Sequence, residues 1–182
     1  NEDWASGTVK IVADISDASS GVNKTSVYYS VNGTWLKMEN DTYFVAEFDS
    51  TTFENNQTVN VSIKASDMVN NTAITSISVH VDNEIPRIKV IEPQAGKTYA
   101  GIIQLKVEVN DTFSGINKVV YEIDGISGQL DCSVCSEYFD TRLLEDGVHT
   151  INFKVYDNAG NVNSSNVSIH IQNTIPAIRI DY

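Results

Sequence analysis

The chain is written twice. IVADISDASSGVNK, residues 11–24, returns as LKVEVNDTFSGINK, residues 105–118, so that Asp17 matches Asp111, Gly21 matches Gly115 and Lys24 matches Lys118. YYSVNG (28–33) matches VYEIDG (120–125), and KASDMVNN (64–71) matches KVYDNAGN (154–161). ISVHVDNEIPRI (77–88) then matches VSIHIQNTIPAI (167–178). The offset drifts from 94 to 90 residues, which means short loop insertions and deletions between elements that keep their order. Repetition at this period means that one supersecondary unit occurs twice, so the fold question reduces to a unit of about ninety residues.

That unit is written in strands. In QLKVEVN, Leu105, Val107 and Val109 alternate with Lys106 and Glu108. In VNVSIKA, Val59, Val61, Ile63 and Ala65 alternate with Asn60, Ser62 and Lys64, and in NVSIHIQ the apolar set is Val167, Ile169 and Ile171. A period of two marks a half-buried strand. Gly, Asn, Asp and Ser clusters between these runs supply turn chemistry, and no amphipathic helix pattern interrupts them. Roughly seven short strands per unit predict a β-sandwich.

The succession D-x-x-S-G-[IV]-N-K, Y-x-[IV]-[DN]-G, D-G-V-H-T, Y-D-N-A-G-N and N-T-I-P resembles tandem immunoglobulin-like domains of bacterial and archaeal cell-surface proteins, of surface-layer, adhesin or filament type. The second copy carries every step, through Asp111, Gly115, Asp124, Gly125, Asp146, Gly147, His149, Asp157, Gly160 and Asn161. The first departs from it, with ENNQTVN for EDGVHT and DMVNN for DNAGN. The resemblance implies an all-β chain of two tandem immunoglobulin-like β-sandwich domains at the cell surface. Residues 1–83 form a sandwich lacking its own first strand, residues 84–173 a second sandwich, and residues 174–182 an extra strand.

Composition narrows the function. Twenty-four acids against 12 bases give a net charge of −12, the reverse of a nucleic-acid footprint. No apolar run reaches the roughly 20 residues of a membrane helix. No nucleophile elbow, P-loop, metal-protease or dinucleotide motif appears, so the chain is read as non-enzymatic with no required cofactor. His80 and His170 share one repeat position, as scaffold residues do.

The sequon N-x-[S/T] occurs at Asn23, Asn32, Asn40, Asn56, Asn60, Asn70, Asn110, Asn163 and Asn166, nine of 18 asparagines. With Ser and Thr at 32 of 182 residues, chance gives about three. None falls at an inward strand position, so N-linked glycans and an extracellular location are expected. In that setting the CSVC pair, Cys132 and Cys135, is read as a small disulfide, with half a zinc site as the other reading. Tandem sandwich adhesins often stiffen their junctions with calcium, and Asp82, Asn83 and Glu84 offer oxygens between the copies. Hydrogen-bonded turns explain the remaining Asp and Asn clusters as well as a cation would.

The two ends are complementary. IPRIKVIE (85–92) opens the second unit as a strand, and the 94-residue offset places Asn1 opposite Ala95, beyond that strand. IPAIRIDY (175–182) repeats the strand at the far end. A sandwich without an edge strand exposes backbone donors and acceptors and part of its core. Ile175, Pro176, Ile178, Ile180 and Tyr182 are therefore the expected donor strand for another copy. The result is a head-to-tail polymer held by strand complementation. Two rival expectations remain. One is an excerpt of a longer covalent array acting as a surface-layer or adhesin stalk. The other is a carbohydrate-binding accessory module with Trp4, Trp35 and Tyr43 as its platform.

Overall fold

A computed structural model describes residues 3–40 and 43–180, Asn40 in its backbone alone. The chain divides into two compact units, Asn1–Glu84 and Ile85–Tyr182.

The first unit contains β1 (Trp4–Ala5), β2 (Thr8–Ala13), β3 (Val22–Val31), β4 (Thr34–Lys37), β5 (Glu39–Asn40), β6 (Phe44–Asp49), β7 (Thr58–Asp67) and β8 (Thr72–Val81). One sheet has the order β1-β8-β7-β3-β4 and the other β2-β6-β5. The second unit contains β9 (Arg87–Glu92), β10 (Thr98–Tyr99), β11 (Ile102–Asn110), β12 (Ile116–Ile123), β13 (Ile126–Leu130), β14 (Ser136–Asp140), β15 (Gly147–Asp157) and β16 (Val162–Ile171). Its sheets run β10-β16-β15-β12-β13 and β14-β11-β9. Two tandem β-sandwiches are thus present, and among the described residues the only helices are single 3-10 turns at Ser50–Thr52 and Thr141–Leu143.

Local chemistry explains the elements. Asn32–Gly33 and Asp124–Gly125 join β3 to β4 and β12 to β13, with positive φ at both residues of each pair. That is the two-residue hairpin turn whose twist matches the strands. Asp49 and Asp140 cap the 3-10 turns by accepting from Thr51 N at 2.9 Å and Arg142 N at 3.0 Å.

Alternation then builds the cores. In the second unit Leu105, Val119, Ile123, Ile151, Phe153, Val155 and Ile169 are fully enclosed between the sheets. In the first unit Val27, Val59 and Val81 are enclosed to the same degree. One element goes beyond the sequence expectation. A two-residue strand ahead of each sandwich, β1 or β10, pairs in parallel with the last strand, β8 or β16. In the second unit the leading segment therefore serves both sheets, as β9 and then β10.

Candidate functional site

The two units differ at one sheet edge. In the second unit β11 lies between β14 and β9, whereas in the first its counterpart β2 is an edge strand. Among the described residues nothing in the first unit corresponds to β9. β11 pairs with β14 through Ile102–Lys106 and with β9 through Lys106–Asn110. Its last three residues, Glu108–Asn110, are held by β9 alone, and their counterparts Asp14–Ser16 lie outside any strand. A strand half shortens when it has no partner to hydrogen-bond.

The apolar consequence lies beside that edge. Ile88 and Val90 of β9 pack onto the core of the second unit, and β9 reaches β16 in the facing sheet. Val167 of β16 is accordingly 6% exposed, and its counterpart Ile77 of β8 is 60% exposed. In the first unit a groove of about 320 Å³ opens here, lined by Val9, Ile11, Phe48, Val61, Ile77 and Val79. It is a largely apolar slot with an edge strand, β2, at its rim, paired to β6 on one side only.

The described part of the expected donor segment presents its isoleucines to solvent. Residues 172–180 form no strand, and Ile175, Ile178 and Ile180 are 84%, 89% and 83% exposed. Pro176 is exposed as well, and Tyr182 lies outside the described residues.

The repeated Asn of N-x-I-P closes each sandwich. Asn83 Oδ1 accepts from Gly7 N and Ser50 Oγ, both at 2.9 Å, and its Nδ2 donates to the Ser50 carbonyl at 3.2 Å. Asn173 Oδ1 accepts from Gly101 N at 3.0 Å and Thr141 Oγ1 at 3.1 Å, and its Nδ2 donates to the Thr141 carbonyl at 2.9 Å. One amide thereby ties the end of the last strand to the 3-10 turn and to the loop before β2 or β11. Ser50 and Thr141 are fully buried, so these polar groups need that partner.

This bears on calcium. Both lone pairs of Asn83 Oδ1 already accept hydrogen bonds, so within the expected Asp82, Asn83 and Glu84 set this oxygen is already engaged. Asp82 is buried and its Oδ1 accepts from Glu84 N at 3.0 Å. Most other acidic turns are self-contained. Asp17 Oδ1 accepts from Ser20 N at 2.8 Å and Gly21 N at 2.7 Å, and Asp67 from Val69 N at 2.9 Å and Asn71 N at 2.8 Å. In the second unit Asp111 Oδ1 accepts from Gly115 N at 2.7 Å, but Asp111 Oδ2 is buried with no hydrogen-bond partner. Carboxylate oxygens of Asp111 and Asp157 come within 4.8 Å of one another. Asp157 already accepts from Asn161 N and Nδ2, both at 2.8 Å, which leaves Asp111 Oδ2 as the oxygen of this pair open to a hard cation.

The Cys132–Cys135 disulfide expected from the sequence is not formed, and both are free thiols. Cys135 has a left-handed φ of 46°, and its Sγ donates to the Cys132 carbonyl at 3.6 Å, while Cys132 Sγ donates to the Leu130 carbonyl at 3.8 Å. The turn aims each sulfur at backbone. Burial pushes the Cys135 thiol up, with Cys132 and Asp131 adding to it.

The sequon asparagines sit in different settings. Asn32, Asn56, Asn60, Asn70, Asn110 and Asn166 are exposed, and Asn23 and Asn163 are half-buried. Asn23 Oδ1 accepts from Thr25 Oγ1 at 2.7 Å within its own sequon. Asn163 Nδ2, the atom a glycan would occupy, donates to the Pro86 carbonyl at 2.9 Å. The side chain of Asn40 lies outside what is described.

Two aromatic candidates are engaged locally. Trp4 lies 5.3 Å from the His80 ring, and Lys64 Nζ sits 4.5 Å over Trp35, while Tyr43 is exposed. His149 carries a link that sequence reading missed. Its Nδ1 meets Asp124 Oδ2 at 2.5 Å and its Nε2 meets the Glu145 carbonyl at 2.8 Å. It clips the β12–β13 hairpin tip to the start of β15, which makes D-G-V-H-T a structural motif. Among the described residues no helix is long and apolar enough to cross a membrane.

Residues 86–165 match the family model for the bacterial Ig domain. No curated protein matches the sequence. The chain is similar in structure to the fibronectin(III)-like modules of Clostridium thermocellum CbhA, with a TM-score of 0.69 at 14% identity, covering 100% of this chain and 94% of that one. It is similar also to the FN1–FN3 domains of chicken CNTN1, with a TM-score of 0.62 at 11% identity, covering 94% of this chain and 65% of that one. At such identities the likeness is one of fold. The chain is a tandem of two immunoglobulin-like β-sandwich domains, the second of which matches the bacterial Ig domain over residues 86–165.

Proposed function

We propose that this chain is a non-enzymatic structural protein of the cell exterior, a glycosylated subunit that joins head to tail by strand complementation. Residues 175–182 of one copy would enter the slot beside β2 of the next. Donor and acceptor are different surfaces, so the contact propagates into an open filament. The contrast between Ile77 and Val167 carries the reading, because one repeat position is covered where a strand is present and bare where none is. Burying Ile178 and Ile180 there contributes several kcal/mol at roughly 1.5–3 kcal/mol per side chain. Its backbone ladder adds to that.

The immunoglobulin-like fold serves spacing and binding in many settings, so the absence of catalysis rests on fold analogy and on the lack of a catalytic motif. A cation held by Asp111 and Asp157 would stiffen the loop end of the second sandwich. N-linked glycans on the exposed sequons would cover its flanks.

One observation favours a covalent array as the second reading. In the second unit the slot is filled by β9, which follows directly on the first unit. An array would fill every slot from the repeat before it. Electron microscopy of the 182-residue chain beside a chain ending at residue 174 separates the two. Filaments that need residues 175–182 support the subunit. Identical monomers in both preparations leave the array.

A further inference from the structure

We propose that the β2 slot is read in one register, in which Arg179 of a second copy lies directly opposite Asp14; this rests on the strand-complementation reading above. The second unit supplies the template. β9 pairs with β11 as Val90↔Val107, Lys89↔Glu108, Ile88↔Val109 and Arg87↔Asn110. The repeat carries these to Ile180↔Ala13, Arg179↔Asp14, Ile178↔Ile15 and Ala177↔Ser16.

Three features fix that register. Alternation aims Ile178 and Ile180 inward, as Ile88 and Val90 are aimed in β9, and a slip of one residue would turn both outward. The outward position then pairs a cation with an anion in both units, Lys89 with Glu108 and Arg179 with Asp14. Opposite charges directly across an antiparallel pair attract, and like charges repel. Lastly, Pro176 takes the place of Pro86, just ahead of the pairing segment, where a missing N–H leaves no ladder bond unmade.

The segment's arrival also changes its acceptor. Asp14–Ser16 lie outside any strand, and their counterparts Glu108–Asn110 are strand because β9 holds them. Docking therefore extends β2 by three residues, and recognition is coupled to local ordering. Asp14 and Arg179 are the specificity-determining pair, and the partner is a second copy of this chain.

The test uses the chain ending at residue 174, whose described lost residues, 175–180, form no strand, and a synthetic peptide of residues 173–182. Peptide binding is read by fluorescence anisotropy and by amide exchange. The expected result is binding with new protection at Asp14–Ser16. Arg179→Asp in the peptide weakens binding about threefold to tenfold, Asp14→Lys in the protein does the same, and the two together restore it. Protection elsewhere, or a double swap no better than either single change, overturns the register. A peptide that does not bind overturns the occupant and leaves the slot to a different segment. Register-specific binding without filaments of the full chain would sink the filament reading and leave this one standing.

Discussion

Asn173 Nδ2 donates to the Thr141 carbonyl at 2.9 Å, and the one proton of the Thr141 hydroxyl is shared between the Gly101 carbonyl at 2.7 Å and Asn173 Oδ1 at 3.1 Å. Gly101 N adds a third to the same amide. Asn173→Ala leaves Gly101 N and the Thr141 carbonyl without this partner at a buried site. The expected loss is about 2–3 kcal/mol of second-unit stability. Urea unfolding measures it. Gln172→Ala, next door and exposed, is the control and should change little. Equal effects from the two variants would mean that the amide is not a clasp.

Much of the architecture is legible in the sequence. Leu105, Val107, Val167 and Ile169 declare inward strand faces by alternation alone, and the Gly, Asn and Asp clusters expected to supply turns include the hairpin turns Asn32–Gly33 and Asp124–Gly125. What could not be read is non-local. Asn83 looks like a turn residue or a ligand because its partner Ser50 is 33 residues away. β1 and β10 are two residues long, too short for any period to show. The slot was legible only as a frame shift between repeats, since no sequence pattern distinguishes the bare Ile77 from the covered Val167. The cysteine pair misled because spacing carries no information about where a left-handed Cys135 aims its sulfur.

That contrast gives a paired mutational test. Val167→Asp would place a carboxylate in a closed core and should cost at least several kcal/mol, enough to unfold the second unit. Ile77→Asp meets solvent and should shift stability by about 0.5 kcal/mol or less. The same Ile77→Asp change should abolish filaments, because the docked strand would bury the new charge. Thermal melts and electron microscopy of the two variants report both effects.

Acid should loosen the turns in a defined window. The Gly21 N–H, with the Ser19 and Ser20 groups behind it, holds Asp17 below the ordinary 3.8 against an opposing effect of burial. The Thr174 hydroxyl and then the Asn173 N–H do the same for Asp146. A carboxylate whose folded pKa is depressed stabilises the fold above its unfolded value, and that contribution is lost as pH falls through the folded one. The thermal midpoint should therefore be flat from about pH 7 to 5 and fall below about pH 4. Asp17→Asn should lower the midpoint at neutral pH, and its gap from the parent should close in acid. A gap that stays constant from pH 7 to pH 2 would refute the linkage.

Calcium should act through Asp111 rather than Asn83. Asp111 Oδ2 is buried without a hydrogen-bond donor, whereas Asn83 Oδ1 already has two. A cation bound only by the folded unit would add about 2.7 kcal/mol at a hundredfold excess over its dissociation constant. The midpoint should rise with calcium, fall with chelator, and stop responding in Asp111→Asn. Asn83→Ala, though less stable, should keep the response. A calcium shift that survives Asp111→Asn would place the ion elsewhere.

Glycan occupancy should follow geometry among the nine sequons. Asn60, Asn110 and Asn166 are exposed on strands. Asn163 is different, because its Nδ2 donates to the carbonyl of Pro86, a buried residue just ahead of β9. A sugar on that nitrogen would push against the entry of β9 and loosen the strand that covers Val167. Glycopeptide mass spectrometry of native material should therefore find Asn163 the least occupied of the described sites. Asn163→Ala should cost about 1 kcal/mol through the lost hydrogen bond, whereas Asn166→Ala should cost almost nothing. Sequon peptides recovered only at their bare polypeptide masses would remove the glycan reading altogether. Full occupancy at Asn163 with an undisturbed second unit would show that the Pro86 contact does not exclude a sugar.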